Sequence, residues 1–148
     1  MATRQLVGLA EIEDARRVVM GVAVETPLDR SRALSEHAAG DVFIKCENLQ
    51  RTGSFKIRGA YNRISRLDEA VRRKGVVAAS AGNHAQGVAL AATLVGAPAT
   101  VFMPEGASLP KIEATERYGA RVILTGKDFG AAFDAAQQFA QKDALVFV

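Results

Sequence analysis

From Gly75 onward, short runs of consecutive apolar residues alternate with longer stretches of helical character. The runs are Val76-Val77-Ala78-Ala79, Thr100-Val101-Phe102-Met103, Val122-Ile123-Leu124 (in a segment that begins at Arg121) and Leu145-Val146-Phe147-Val148. Strands buried on both faces have this composition, because helices cover both sides of a parallel sheet. The alternation predicts an α/β fold, an open parallel sheet with helices on both faces and right-handed crossovers. Before Gly75 the pattern is more mixed. Leu9 to Met20 has helical spacing with Gly21 as a stop. Pro27 pushes Glu25-Thr26 toward extended geometry. Asp29 is the expected cap of a short helix through Ser35 that closes before Gly40. Asp41 to Glu47 reads as the first strand. Ile57, Ala60, Tyr61, Ile64 and Leu67 then recur on one helical face, in a helix expected to run to about Arg73 with a break near Asp68.

Composition adds exclusions to this picture. At 148 residues, 49% hydrophobic and 24% charged, the chain fits one globular unit of ordinary size. Net charge is only +3, and the short Arg72-Arg73-Lys74 cluster reads as a solvated helix end, so no nucleic-acid partner is expected. The single Cys46, expected to be buried and inert, rules out an internal disulfide. His37 and His84 lack metal-ligand spacing, so no metal is expected. The window Gly87 to Met103 is broken by Gly96 and Pro98, too interrupted for a membrane span. The first five residues, Met-Ala-Thr-Arg-Gln, have no signal-peptide core, so a cytoplasmic location is the expectation.

Two stretches carry chemistry. The first runs from Glu47 to Tyr61, where Thr52-Gly53-Ser54 offers a turn and a candidate cap, and Lys56 follows Phe55 in the first helical turn. A lysine there sits in the positive field of the helix N-terminus, which favours the neutral amine needed for a Schiff base. An ordinary solvated lysine is the alternative reading. The second stretch, Ser80-Ala81-Gly82-Asn83-His84-Ala85-Gln86-Gly87, opens a helix through about Val95 at the carboxyl end of a strand, where α/β sheets bind ligands. Gly82 permits close ligand approach, and the helix start suits a carboxylate or phosphate. Asn83 with Gln86 also matches a capping arrangement that needs no ligand. Val88 stands where a Walker lysine is required, and no Gly-x-Gly-x-x-Gly occurs. Among the later loops, Pro110-Lys111 starts a helix, Gly119 reads as a helix C-cap, and Asp128 caps the helix through Ala131 to Gln141.

Taken jointly, the run from Lys45 to Ala60 and the loop from Ser80 to Gly87 resemble the fold type II pyridoxal-phosphate enzymes, and among them threonine dehydratases (threonine ammonia-lyases) of the catabolic type. The resemblance implies pyridoxal 5'-phosphate held as a Schiff base on Lys56, which later acts on the α-proton of the substrate. It implies that Phe55 packs on the pyridine ring and Asn83 bonds the phenolic oxygen. Ser80, Gly82, Asn83 and His84 would receive the substrate carboxylate, with His84 not the general base. The implied reaction is β-elimination of water from L-threonine or L-serine, giving a 2-oxo acid and ammonia, in amino-acid metabolism including isoleucine biosynthesis. Arg51, Thr52 and Gln86 match the branch in which some members respond to nucleotides such as AMP. Serine racemases share much of the pattern but carry a hydroxyl at the position of Ala81.

Members of this family are longer, and their glycine-rich phosphate clamp and pyridine-nitrogen partner lie beyond residue 148. The expected division is residues 1–49 as first elements of the larger domain and 50–148 as the smaller domain. A homo-oligomer is expected at full length, and these 148 residues alone are expected to be inactive. The alternative from another class is a non-catalytic α/β module that keeps Lys56 unused.

Overall fold

A computed structural model describes residues 6–148; residues 1–5, on which the signal-peptide reading rests, lie outside the described residues. Helix α1 spans Leu9–Val19. A short antiparallel pair follows, β1 (Leu28–Arg30) with β2 (Phe43–Lys45), bridged by α2 (Arg32–Ala38). A single 3-10 turn at Glu47–Leu49 leads to α3 (Lys56–Ile64) and α4 (Glu69–Lys74). Then come β3 (Val76–Ala79), α5 (Asn83–Leu94), β4 (Ala99–Met103), α6 (Leu109–Arg117), β5 (Arg121–Leu124), α7 (Phe129–Lys142) and β6 (Val146–Phe147).

The four strands β5-β4-β3-β6 form the parallel sheet that the apolar runs predict. Its core follows the strand period of two. Val76 and Ala78 of β3 face a cluster with Ile57, Ile64, Val88 and Met103, built by α3, α5 and α6. Val77 and Ala79 face the opposite side, where Phe102, Ala136 and Ala140 pack under α7. Helices therefore cover both faces, and β3 is buried throughout. Helix α5 lies between the sheet and α3, and its buried residues are small (Ala85, Gly87, Ala89, Ala91, Ala92), so the layers approach closely.

Several local expectations change. Asp29 does not cap a helix; it lies in β1 paired with Ile44, because the Pro27 bend directs the chain into an antiparallel ladder. The cap is Ser31, whose hydroxyl accepts the Leu34 amide at 3.4 Å. The helix after Lys56 stops at Ile64 and restarts at Glu69, a complete break at the place where an interruption is expected. Cys46 is half-buried rather than buried, and burial together with the nearby Asp29 carboxylate pushes its thiol pKa up. Asp128 and Gly119 behave as expected: the Asp128 carboxylate accepts the Ala131 amide at 2.9 Å, and Gly119 takes φ +94° after α6. No described helix is long and apolar enough to cross a membrane.

Candidate functional site

Lys56 is the first residue of α3, exposed, with its Nζ 5.2 Å from the centre of the exposed Phe55 ring. Among the described residues Nζ has no hydrogen-bond or ion-pair partner. The backbone, by contrast, is held tightly. A Cβ placed on Gly87 of α5 would stand 3.0 Å from the Lys56 carbonyl carbon and 3.2 Å from the Ile57 nitrogen. The two stretches singled out in the sequence therefore touch: α3 begins where α5 completes its first turn. Glycine in a helix interior costs about 1 kcal/mol relative to alanine, and this contact supplies the reason for it.

Asn83 and His84 open α5, about 6 Å along the axis before Gly87. Asn83 is not the cap; that place belongs to Gly82, and no side chain caps the helix. The Ser80 hydroxyl instead accepts the Gly82 amide at 3.2 Å, closing the loop on itself. The backbone amides of Asn83 and His84 have no acceptor among the described residues, so an anion can take them. Gly82 has extended backbone (φ −145°), so its value is room: a Cβ there would meet nothing within 4 Å. The His84 ring is turned to the Val148 carbonyl oxygen, its Nε2 at 3.1 Å. Arg51 is exposed and its carbonyl accepts the Tyr118 hydroxyl at 3.0 Å. Thr52 is buried with Oγ1 unpartnered, and Gln86 is half-buried on α5. No hydrogen bond joins Gln86 to Arg51 or Thr52 among the described residues.

Residues with no role assigned from sequence brace the lysine segment. Glu47 accepts two bonds from Arg58, Nε to Oε2 at 2.9 Å and Nη2 to Oε1 at 2.8 Å, and a third from the Thr26 hydroxyl at 2.6 Å. The Arg58 bonds, ahead of the Thr26 one, draw the Glu47 carboxyl down to about 2 despite its burial. Gln50, 4% exposed, grips the Val24 peptide on both sides, accepting its amide at 2.8 Å and donating to its carbonyl at 2.9 Å. Glu47, Gln50 and Arg58 all lie in the quoted stretch, but their partners are 21 to 34 residues away or on the far side of a turn. Pattern within the stretch carries no signal for such pairs.

A primary amine without a partner and an aromatic face beside it suit an aromatic aldehyde, and a helix start with unclaimed amides and open space suits a carboxylate. The comparisons agree. The family described as pyridoxal-phosphate dependent enzyme matches residues 19–148. L-threonine ammonia-lyase of Thermotoga maritima is 52% identical over 143 residues, covering 97% of this chain and 36% of the relative. L-threonine dehydratase catabolic TdcB of Staphylococcus aureus is 46% identical, covering 100% of this chain and 43% of the relative. The solved maize serine racemase superposes with a TM-score of 0.88 at 33% identity, covering 97% of this chain and 44% of that one. The chain thus spans about two-fifths of the length of these proteins.

Proposed function

The chain belongs to the pyridoxal-phosphate dependent enzyme family, and from that premise we propose that it is the lysine-bearing part of a threonine ammonia-lyase. The substrates are L-threonine and L-serine, and the products 2-oxobutanoate or pyruvate with ammonia. The observation that supports this is the packing of Gly87 on the Lys56 backbone, which joins the start of the lysine-bearing helix to the first turn of α5.

When bound, pyridoxal phosphate supplies an electron sink for the charge that develops at the substrate α-carbon. Lys56 would hold the cofactor, and its Nζ would take the substrate's α-proton. Phe55 offers a flat apolar face to the ring system. Asn83 would donate its side-chain amide to the cofactor's phenolic oxygen. The loop of Ser80 and Gly82 with the amides of Asn83 and His84 receives the substrate carboxylate, and the helix dipole favours that charge. The β-hydroxyl takes up a proton and leaves as water, and a second water hydrolyses the released enamine to the 2-oxo acid and ammonia. His84, already engaged with the Val148 carbonyl, orients the loop rather than moving a proton.

The superposition with a serine racemase supports a second reading. Ala81 weighs against it, since its methyl has no proton to return to the opposite face of the α-carbon. The relative named catabolic favours threonine breakdown over isoleucine biosynthesis. A cytoplasmic homo-oligomer completes the proposal. Residues 1–49 belong with a larger domain and 50–148 form the smaller one; the β1–β2 pair stands apart from the four-stranded sheet and is exposed on both strands. A nucleotide effector at Arg51, Thr52 and Gln86 is the last part, supported by the exposed Arg51.

The test is addition of pyridoxal phosphate to wild type and Lys56→Ala, then borohydride reduction and peptide mapping. In a chain of the relatives' length, a Lys56-dependent absorbance band with the reduced label on Lys56 is expected, followed by 2-oxo acid release from threonine and serine; residues 1–148 alone are expected neither to bind the cofactor tightly nor to turn over. Labels scattered over other lysines would sink the reading.

A further inference from the structure

Arginine at the third position of a helix is out of place, because the helix N-terminus already carries partial positive charge. Arg58 occupies that position in α3, and it is there in a forked geometry. Its partner Glu47 stands before the helix and uses both oxygens, with Thr26 as third donor. The second Arg58 amino group also reaches the Val24 carbonyl at 3.2 Å. One flank of the first turn of α3 is thereby tied to residues 24–26 and 47, while the other flank rests on Gly87. Between these two restraints only the Lys56 side chain is free. Solvent reaches Arg58 (35% exposed) more than Glu47 (15%), so the carboxylate is the enclosed, fixed member of the pair.

We propose that Glu47 is a positioning residue for Lys56: through Arg58 it fixes the first turn of α3, and with it the point and direction at which the Lys56 side chain leaves the helix. This rests on the reading of Lys56 as the cofactor-bearing amine. Glu47 touches neither cofactor nor substrate in this role. A forked pair suits the task, since two parallel bonds restrain rotation as well as distance. A displacement of about 1 Å at a reacting group is enough to cost one to two orders of magnitude in rate.

The test compares Glu47→Gln, which keeps shape and removes charge, with Glu47→Asp, which keeps charge. Three readouts are taken well below the melting temperature of each variant. The first is the ring-current shift that Phe55 imposes on the Lys56 ε-methylene protons. The second is amide hydrogen exchange across residues 56–60 against α7. The third is the rate of Lys56 labelling by pyridoxal phosphate and borohydride. In Glu47→Gln the ring-current shift is expected to collapse, exchange at 56–60 to accelerate with α7 unchanged, and labelling to slow about tenfold; Glu47→Asp restores all three in large part. A Lys56 shift that is random-coil in wild type, or unchanged in Glu47→Gln, overturns the proposal. So does acceleration spread equally over α7, which marks a general loss of stability. A chain of the relatives' length that is not labelled at Lys56 refutes the proposed function instead, and the ring-current and exchange readouts still decide the role of Glu47.

Discussion

At the scale of single residues, the structure separates side chains that react from those that hold the backbone still. Gly87→Ala places a methyl against the backbone of Lys56 and Ile57, which cannot yield as a flexible side chain would. Overpacking of this kind costs about 1–3 kcal/mol, and the better helix propensity of alanine returns up to about 1. The expected result is a lower melting temperature together with slower labelling of Lys56, measured on the same preparation. Glu47 gives a pH signature. Its carboxyl lies near 4.5 in the unfolded chain and is drawn to about 2 in the fold by Arg58. Such a group stabilises fully above the unfolded value, and the contribution disappears as pH falls through the folded one. Wild type is therefore expected to exceed Glu47→Gln by about 2 kcal/mol near neutrality, after allowance for solvent screening at Arg58. The gap closes between about pH 5 and pH 2 in urea titrations. A gap that stays constant over that range would remove the fork as its source.

At the scale of elements, legibility tracked how local the cause is. The strands β3 and β4 could be read because burial on both faces makes nearly every position apolar, whatever the neighbour, and β5 and β6 by their apolar runs although they are only partly buried. The Asp128 cap and the Gly119 stop could be read because donor and acceptor lie within one turn. β1 could not: Leu28-Asp29-Arg30 is short, charged and exposed, and it is a strand only because β2 lies beside it, 15 residues on, from Asp29 to Ile44. The same reason hid the bracing of Lys56, whereas the lysine and the loop from Ser80 to Gly87 stood out once the two motifs were taken together. Two helix ends fall close to where they are expected, but the residue that turns the chain there could not be read because it is alanine where glycine is usual. Ala39 after α2 and Ala144 after α7 both take φ +50°. At Ala144 the strained turn lets the Leu145 amide reach back to Ala140 at 2.8 Å. Ala144→Gly relieves that strain and is expected to raise stability by about 0.5–1 kcal/mol, roughly 2–4 °C in a thermal melt. An unchanged or lower melting temperature would show that the turn is not strained.

At the scale of the whole molecule, burial is unevenly distributed. The four-stranded sheet and its helices enclose the core, while Leu28, Phe43, Ile44 and Leu49 of the first fifty residues remain open to solvent. Two strands without a covered face are marginal by themselves. Amides of β1 and β2 are thus expected to exchange orders of magnitude faster than those of β3 and β4, which open only with global unfolding; equal protection would contradict this division. The strand order has a temporal consequence as well. β3 meets β4 after a connection of ordinary length, Val76 pairing with Ala99, but its other neighbour is β6, with Val76 pairing to Val146 across the whole of the intervening chain. On a ribosome, which feeds out residues at roughly 5–20 per second, β3, β4 and β5 can associate seconds before β6 emerges. For that interval the most buried strand of the protein keeps one raw edge, and the His84 ring waits for the carbonyl it will meet. A nascent chain that has emerged only as far as residue 140 is the form most exposed to mispairing, and the one a chaperone has most reason to hold.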